Sequence, residues 1–159
     1  MNIKMSAKGG AAFGGKTLLL IHGSNLNFLG KREEKHYGAL TLKQLENLVG
    51  REAGKYGFRI KSFQSNHEGA LIDFLQKHAV SSSGIIINPG ALAHYSYSLY
   101  DALVDANIPA VEVHLSKIKS REVWRRKSVT APACVSVISG KKEKGYVEAV
   151  KKLSKPINP

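Results

Sequence analysis

TLLLIHG, residues 17–23, is a nearly continuous apolar run that stops at a glycine. Such a run suits a strand buried on both faces, the kind that parallel sheets use. GIIIN, residues 84–88, repeats the pattern and is closed by Pro89 and Gly90. Helical and strand patterns fill the rest of the chain. Thr41 and Gln44 have capping-box spacing, and Leu42, Leu45, Leu48, Val49, Ala53 and Tyr56 form one helical stripe. Gly57 is placed to end that helix in a left-handed conformation. FRIKSFQ (58–64) alternates like a strand, and Ser65 with Glu68 predicts a second capping box ahead of a helix ending near Ala79. A helix over about 96–106 follows, then the strand PAVEVHL (109–115), the strand-like ACVSVI (133–138) and a last helix over about 143–154. This alternation predicts helices on both faces of a parallel sheet. At 159 residues the expected fold is a flavodoxin-like three-layer α/β arrangement with a five-stranded parallel sheet. One domain is expected over 17–154, with a flexible basic tail at 1–16 and a short tail at 155–159.

The totals narrow the class. With 43% apolar and 23% charged residues the chain is globular. No run of about 18 apolar residues is present, so no membrane span is expected. Cys134 is the only cysteine, which excludes an internal disulfide and fits a reducing, cytoplasmic location. It reads as a small buried hydrophobe. The net charge of +12 suits either nucleic acid or a small anionic substrate. Much of the excess lies at the chain ends, and no nucleic-acid-binding signature accompanies it, so nucleic acid is the weaker expectation.

Open parallel sheets bind ligands beyond the carboxyl ends of their strands. Those positions carry Asn25 and Asn27, then QSNHEG, then Asn88 and His94, then His114 with Leu115 and Ser116. Four polar strand ends on one edge predict a small-molecule site. Neither a phosphate loop nor a dinucleotide fingerprint occurs, and the six histidines lack metal-ligand spacing. A site with no metal and no cofactor is expected.

Glu112 and His114 are two residues apart on a strand and so share a face. A carboxylate beside a histidine favours the imidazolium, which makes His114 a candidate general acid, although the spacing alone favours a structural strand-end pair. Arg32 precedes Tyr37 in a segment read as a loop. A free tyrosine is only ~0.1% ionised at neutral pH, so a tyrosine base needs a cation close by. Tyr37 packed against the Gly38 turn is the other reading. REVWRRKS (121–128) either lines the same pocket or forms a solvated basic face.

Taken in order, NLNFLGKRE (25–33), HYG (36–38), FQSNHEG (63–69), INPGAL (87–92), EVHLS (112–116) and WRRKS (124–128) resemble type II 3-dehydroquinate dehydratases. The resemblance runs from about Thr17 to Leu153. It implies a flavodoxin-like fold, a homododecamer built from four trimers, and cofactor-free conversion of 3-dehydroquinate to 3-dehydroshikimate. The step would serve aromatic amino acid biosynthesis or quinate breakdown. By position, Tyr37 matches the base, Arg32 the arginine supporting it from a mobile loop, and His114 the acid. Glu112 matches the carboxylate that orients the acid, and Asn25 an asparagine near the enolate oxygen. Asn88, His94 and Arg125 match substrate-hydroxyl contacts. Leu115 and Ser116 match the carboxylate-receiving pair, and Asp101 an aspartate that reaches the site of a neighbouring subunit.

Some positions depart from the family pattern: His22 and Ser24 stand for Asn and Pro, Ala93 and Tyr95 for Thr, Lys117 for Asn and Lys119 for His. None removes a matched catalytic residue. They bear on affinity, and they leave room for a related lyase with an altered substrate. A non-catalytic protein of the same fold, binding a small anion or nucleic acid, is the alternative. It would have no use for a base and an acid together.

Overall fold

The polar loops converge because of strand order. The computed structural model describes residues 16–156, so the expectation of a flexible tail falls almost wholly outside the described residues. Five strands, β1 (Lys16–His22), β2 (Phe58–Gln64), β3 (Gly84–Asn88), β4 (Ala110–His114) and β5 (Ser136–Ser139), form one sheet. All pairs are parallel, and the order is β2-β1-β3-β4-β5. The helices are α1 (Glu34–Tyr37), α2 (Leu42–Gly54), α3 (Glu68–His78), α4 (Tyr97–Asp105) and α5 (Glu143–Leu153). This is the three-layer α/β fold that the sequence predicts.

Alternation along β1 sorts the core into two layers. Leu18 and Leu20 face α2 and α5, where Leu45, Val49, Tyr146 and Val150 close one cluster. Leu19 and Ile21 face α3 and α4 and meet Leu71, Leu75, Leu99 and Leu103. Each fully buried aliphatic side chain contributes about 1.5–3 kcal/mol. The double burial explains why β1 and β3 read as unbroken apolar runs.

The α2 capping box forms as predicted, with Thr41 Oγ1 accepting from Gln44 N–H at 3.2 Å and Gln44 Oε1 accepting from Thr41 N–H at 2.9 Å. Gly57 adopts φ +75°. The second box does not form. His67 is the N-cap of α3, and Ser65 Oγ accepts from His67 N–H at 2.9 Å. The Glu68 carboxylate instead accepts from the hydroxyl of Ser96, the N-cap of α4. A contact between elements has outcompeted the local one. The fifth strand is also shorter than ACVSVI. A 3₁₀ turn over Ala131–Ala133, with Pro132 fixing its backbone, places Cys134 ahead of the strand.

The two loops at the centre of the sheet touch through backbone. Gly23 N–H donates to Asn88 O at 2.7 Å, and a Cβ at Gly23 would lie 2.0 Å from Pro89 O. Only glycine permits that approach, which joins the ends of β1 and β3 at the point where strand order reverses.

His22 ends β1 fully buried, and neither ring nitrogen has a hydrogen-bond partner. Glu46 Oε1 is 3.7 Å from Nε2, beyond hydrogen-bond reach. Burial lowers the His22 pKa from 6.5 to about 4. The unfolded chain therefore takes up a proton first as pH falls, and stability drains away between pH 6.5 and 4, by about 3 kcal/mol in all. His22→Leu removes that drain. In urea unfolding, the stability of the natural protein relative to His22→Leu should drop by about 2 kcal/mol between pH 7.5 and pH 5. An unchanged difference would mean the ring is not kept neutral.

Candidate active site

Loops after β1, β3 and β4 line a small, mostly polar cleft at the carboxyl edge of the sheet. Asn25, Arg32, Tyr37, Asn88, His94, His114, Leu115, Ser116 and Arg125 all line it. The polar residues after β2 land elsewhere. The QSNHEG segment after β2 does not line the cleft but braces it: Asn66 Oδ1 accepts from Asn25 N–H at 2.9 Å, and Gln64 Nε2 donates to Gly23 O at 3.3 Å. Asn25 sits at φ 67° and ψ 1°, a left-handed conformation that asparagine tolerates better than most residues. Asp101 lies exposed on α4 and is not among the residues that line this chain's cleft.

Tyr37 closes one side. The segment expected to be a loop is a single helical turn, α1, with Tyr37 as its last residue. Tyr37 packs, partly buried, against the α2–α5 core cluster, so the packing reading is part of the answer. Its hydroxyl accepts from Arg32 Nη2 at 2.9 Å, and the Arg32 guanidinium lies 3.8 Å from the ring centroid. A second guanidinium, Arg121, donates through Nη1 at 3.4 Å. That hydrogen bond to Tyr37 is the main influence holding Arg121 above the ordinary guanidinium value. Both neighbours are donor-only cations, the environment that suits a phenolate.

His114 closes the other side at the end of β4. Nε2 lies 2.6 Å from Glu112 Oε1, so the same-face expectation holds, and Nδ1 is left for the cleft. Glu112 is fully buried, and its second oxygen accepts from Thr130 Oγ1 at 2.6 Å. Burial pushes the Glu112 carboxyl up, but hydrogen bonds from His114, Thr130 and Ser128 and the charge of His114 together bring it below its usual value. A carboxyl so held does not take the ring's proton.

The other polar groups are oriented by fixed partners. His94 Nδ1 lies 2.7 Å from Lys127 O. A carbonyl only accepts, so Nδ1 carries the proton and Nε2 is free to accept. Asn88 Oδ1 accepts from Gly90 N–H at 3.0 Å, while Nδ2 donates to Tyr146 OH at 3.0 Å and keeps one N–H spare. Arg125 stacks on Trp124 with 4.0 Å from guanidinium to ring centroid. Among the described residues, no three His, Cys, Asp or Glu side chains converge as a metal site. Cys134 is half-buried rather than buried, because the 3₁₀ turn sets it ahead of β5, and desolvation still pushes its thiol up to about 12, which leaves it unreactive. Among the described residues no helix is long and apolar enough to cross a membrane.

Sequence reading missed Thr130, Ser128 and Tyr146, and left the role of Arg121 undecided. None has a local signal: Arg121 is 84 residues from Tyr37, and Tyr146 is 58 from Asn88.

Known proteins resemble this chain along most of its length. The family model described as dehydroquinase class II matches residues 16–154. A protein of Clostridium perfringens (strain SM101 / Type A) named 3-dehydroquinate dehydratase is 49% identical over 141 residues, which cover 88% of this chain and 97% of that protein. The crystal structure of type II dehydroquinase from Butyrivibrio crossotus superposes with a TM-score of 0.85 at 42% identity, covering 88% of this chain and 98% of that one. That of Propionibacterium acnes gives 0.84 at 32% identity, covering 87% and 96%. With the family model matching residues 16–154, a relative 49% identical over 88% of the chain and a solved structure superposing at a TM-score of 0.85, the chain belongs to the class II dehydroquinase family.

Proposed function

We propose that the protein dehydrates 3-dehydroquinate to 3-dehydroshikimate by anti elimination through an enolate, with Tyr37 as base and His114 as acid. The observation that carries this reading is the placing of two oppositely equipped groups in one cleft: a phenol hydroxyl against two guanidiniums and a histidine backed by a buried carboxylate. The alpha proton of a ketone is weakly acidic, so its removal needs a strong base and a stabilised enolate. The Tyr37 phenolate takes that proton, and the electron pair moves onto the carbonyl oxygen, beside Asn25. The enolate then reforms its carbonyl and expels the hydroxyl from the neighbouring carbon. His114 donates the proton that turns the leaving hydroxyl into water. The products are a conjugated enone and water, with no oxidation or reduction.

The remaining groups position the ring. Asn88 offers an N–H, His94 an acceptor nitrogen and Arg125 a fixed charge to the substrate hydroxyls. The Leu115–Ser116 backbone, at the end of β4, receives the carboxylate. Arg32, Arg121 and Arg125 give the cleft the positive field that a monoanion requires. Asp101, exposed on α4, is available to the site of a second copy in a homododecamer built from four trimers. A cytoplasmic location, and a place in aromatic amino acid synthesis or quinate breakdown, belong to the same reading.

Adding 3-dehydroquinate to the purified protein should raise an ultraviolet band of the conjugated product, with no added metal or cofactor. Binding of the substrate without that rise would favour the non-catalytic alternative.

A further inference from the structure

Behind the acid lies a chain of hydroxyl groups that the reaction does not itself require. Ser128 Oγ accepts from Ala131 N–H at 3.1 Å, which leaves its own proton free. Ser128 Oγ and Thr130 Oγ1 are 3.1 Å apart. Thr130 Oγ1 is 2.6 Å from Glu112 Oε2, and an ionised carboxylate only accepts, so Thr130 must donate there. With the Thr130 proton committed to Glu112, Ser128 gives its own proton to Thr130 Oγ1 or to the Glu112 carboxylate itself, and either way it supports the carboxylate. Thr130 and Glu112 are both fully buried, so no solvent competes for these bonds. With His114 on Oε1, both carboxylate oxygens are occupied by donors.

We propose that Thr130 is a positioning residue that keeps Glu112 ionised and fixed behind His114, with Ser128 supporting the same carboxylate. The proposal rests on the reading of His114 as the acid. A buried carboxyl with one donor removed takes up a proton more readily, because burial is the largest influence on Glu112 and acts upward. Other groups face this pair too. Cys134 stands near Glu112 as a neutral thiol, and its charge state does not change in the relevant range. His94 stacks 6.5 Å from His114, and Arg125 and Asn88 line the cleft side. The strand neighbours of Glu112, Ile87 and Val137, are apolar.

The test compares Thr130→Val, Thr130→Ser and Ser128→Ala with the natural protein. Glu112 is followed by carboxyl carbon NMR, and kcat and KM are measured against pH. Thr130→Val should move the Glu112 titration, and with it the acid-side fall of kcat, up by about one to two pH units, as expected for loss of a charge-assisted hydrogen bond. The plateau kcat should fall about tenfold with KM changed less than about threefold, and the alkaline limb should stay in place. Thr130→Ser keeps the hydroxyl and should restore the natural profile. Ser128→Ala should shift Glu112 in the same direction by less than about one unit, so the proposal is tested even if Thr130→Val does not fold. An unmoved Glu112 titration in Ser128→Ala, and in Thr130→Val where it folds, would overturn the proposal. So would Thr130→Ser impaired as badly as Thr130→Val. His114→Ala separates the two levels: if it keeps full turnover, the acid assignment itself has failed, whatever Thr130 does.

Discussion

Tyr37→Phe should lower kcat by roughly 10²–10⁴, the usual worth of a positioned base, while the protein stays folded. The substitution removes one oxygen and nothing else. The ring keeps its packing against the α2–α5 cluster, so thermal unfolding should change little. Arg32 and Arg121 lose their shared acceptor but keep the face of the ring, at 3.8 and 5.8 Å from its centroid. KM should therefore move less than kcat. An interaction made mainly in the transition state gives that split, whereas loss of ordinary binding would raise KM at constant kcat. Steady-state kinetics by ultraviolet absorbance, with circular dichroism as a check on folding, decides it. Natural turnover in Tyr37→Phe would remove Tyr37 as the base.

His114→Ala should act on both chemistry and stability, and the two effects can be pulled apart. Turnover should fall by a similar 10²–10⁴, because hydroxide is a poor leaving group without an acid. Stability should fall by about 3–5 kcal/mol at neutral pH, since the change strips one donor from a fully buried carboxylate. The sign with pH follows. In the natural protein the Glu112 carboxyl lies below its usual value, so its contribution is present at neutral pH and fades as pH falls through the folded value. In His114→Ala the loss of that donor lets burial push the carboxyl up, so the penalty is present above the raised value and is relieved as pH falls through it. Glu112→Gln placed on top of His114→Ala should recover much of the stability, as no buried charge is left, and none of the turnover. Denaturant unfolding at two pH values, with kinetics on both variants, checks this. A double variant that regained activity would show that the loss in the single one was only structural.

Local physics made part of this protein legible. The Thr41 capping box formed because its partners are three residues apart and nothing else competes for them. The Glu112–His114 pair was visible in a spacing of two, because a strand must put such residues on one face. The Arg32–Tyr37 contact spans only five residues, although its helical turn was not foreseen. The Ser65–Glu68 pattern had the same spacing as the Thr41 box and failed, because Glu68 meets Ser96 across 28 residues. Polar residues after β2 looked like cleft residues, yet they brace the Asn25 loop, because β2 is an edge strand and the strand order reverses at β1 and β3.

By itself, then, the sequence determined the layers, the parallel sheet, the edge on which the site lies and the pairs within one element, since these follow from periodicity and short-range hydrogen bonding. Its motif residues also marked the family. Tertiary structure alone decided which distant side chains tune those pairs: Arg121 on Tyr37, Tyr146 on Asn88, and Thr130 on Glu112. Each is a single hydrogen bond between elements far apart in the chain. Such a contact leaves no periodic trace in the sequence, because its geometry exists only after the sheet has brought the strand ends together.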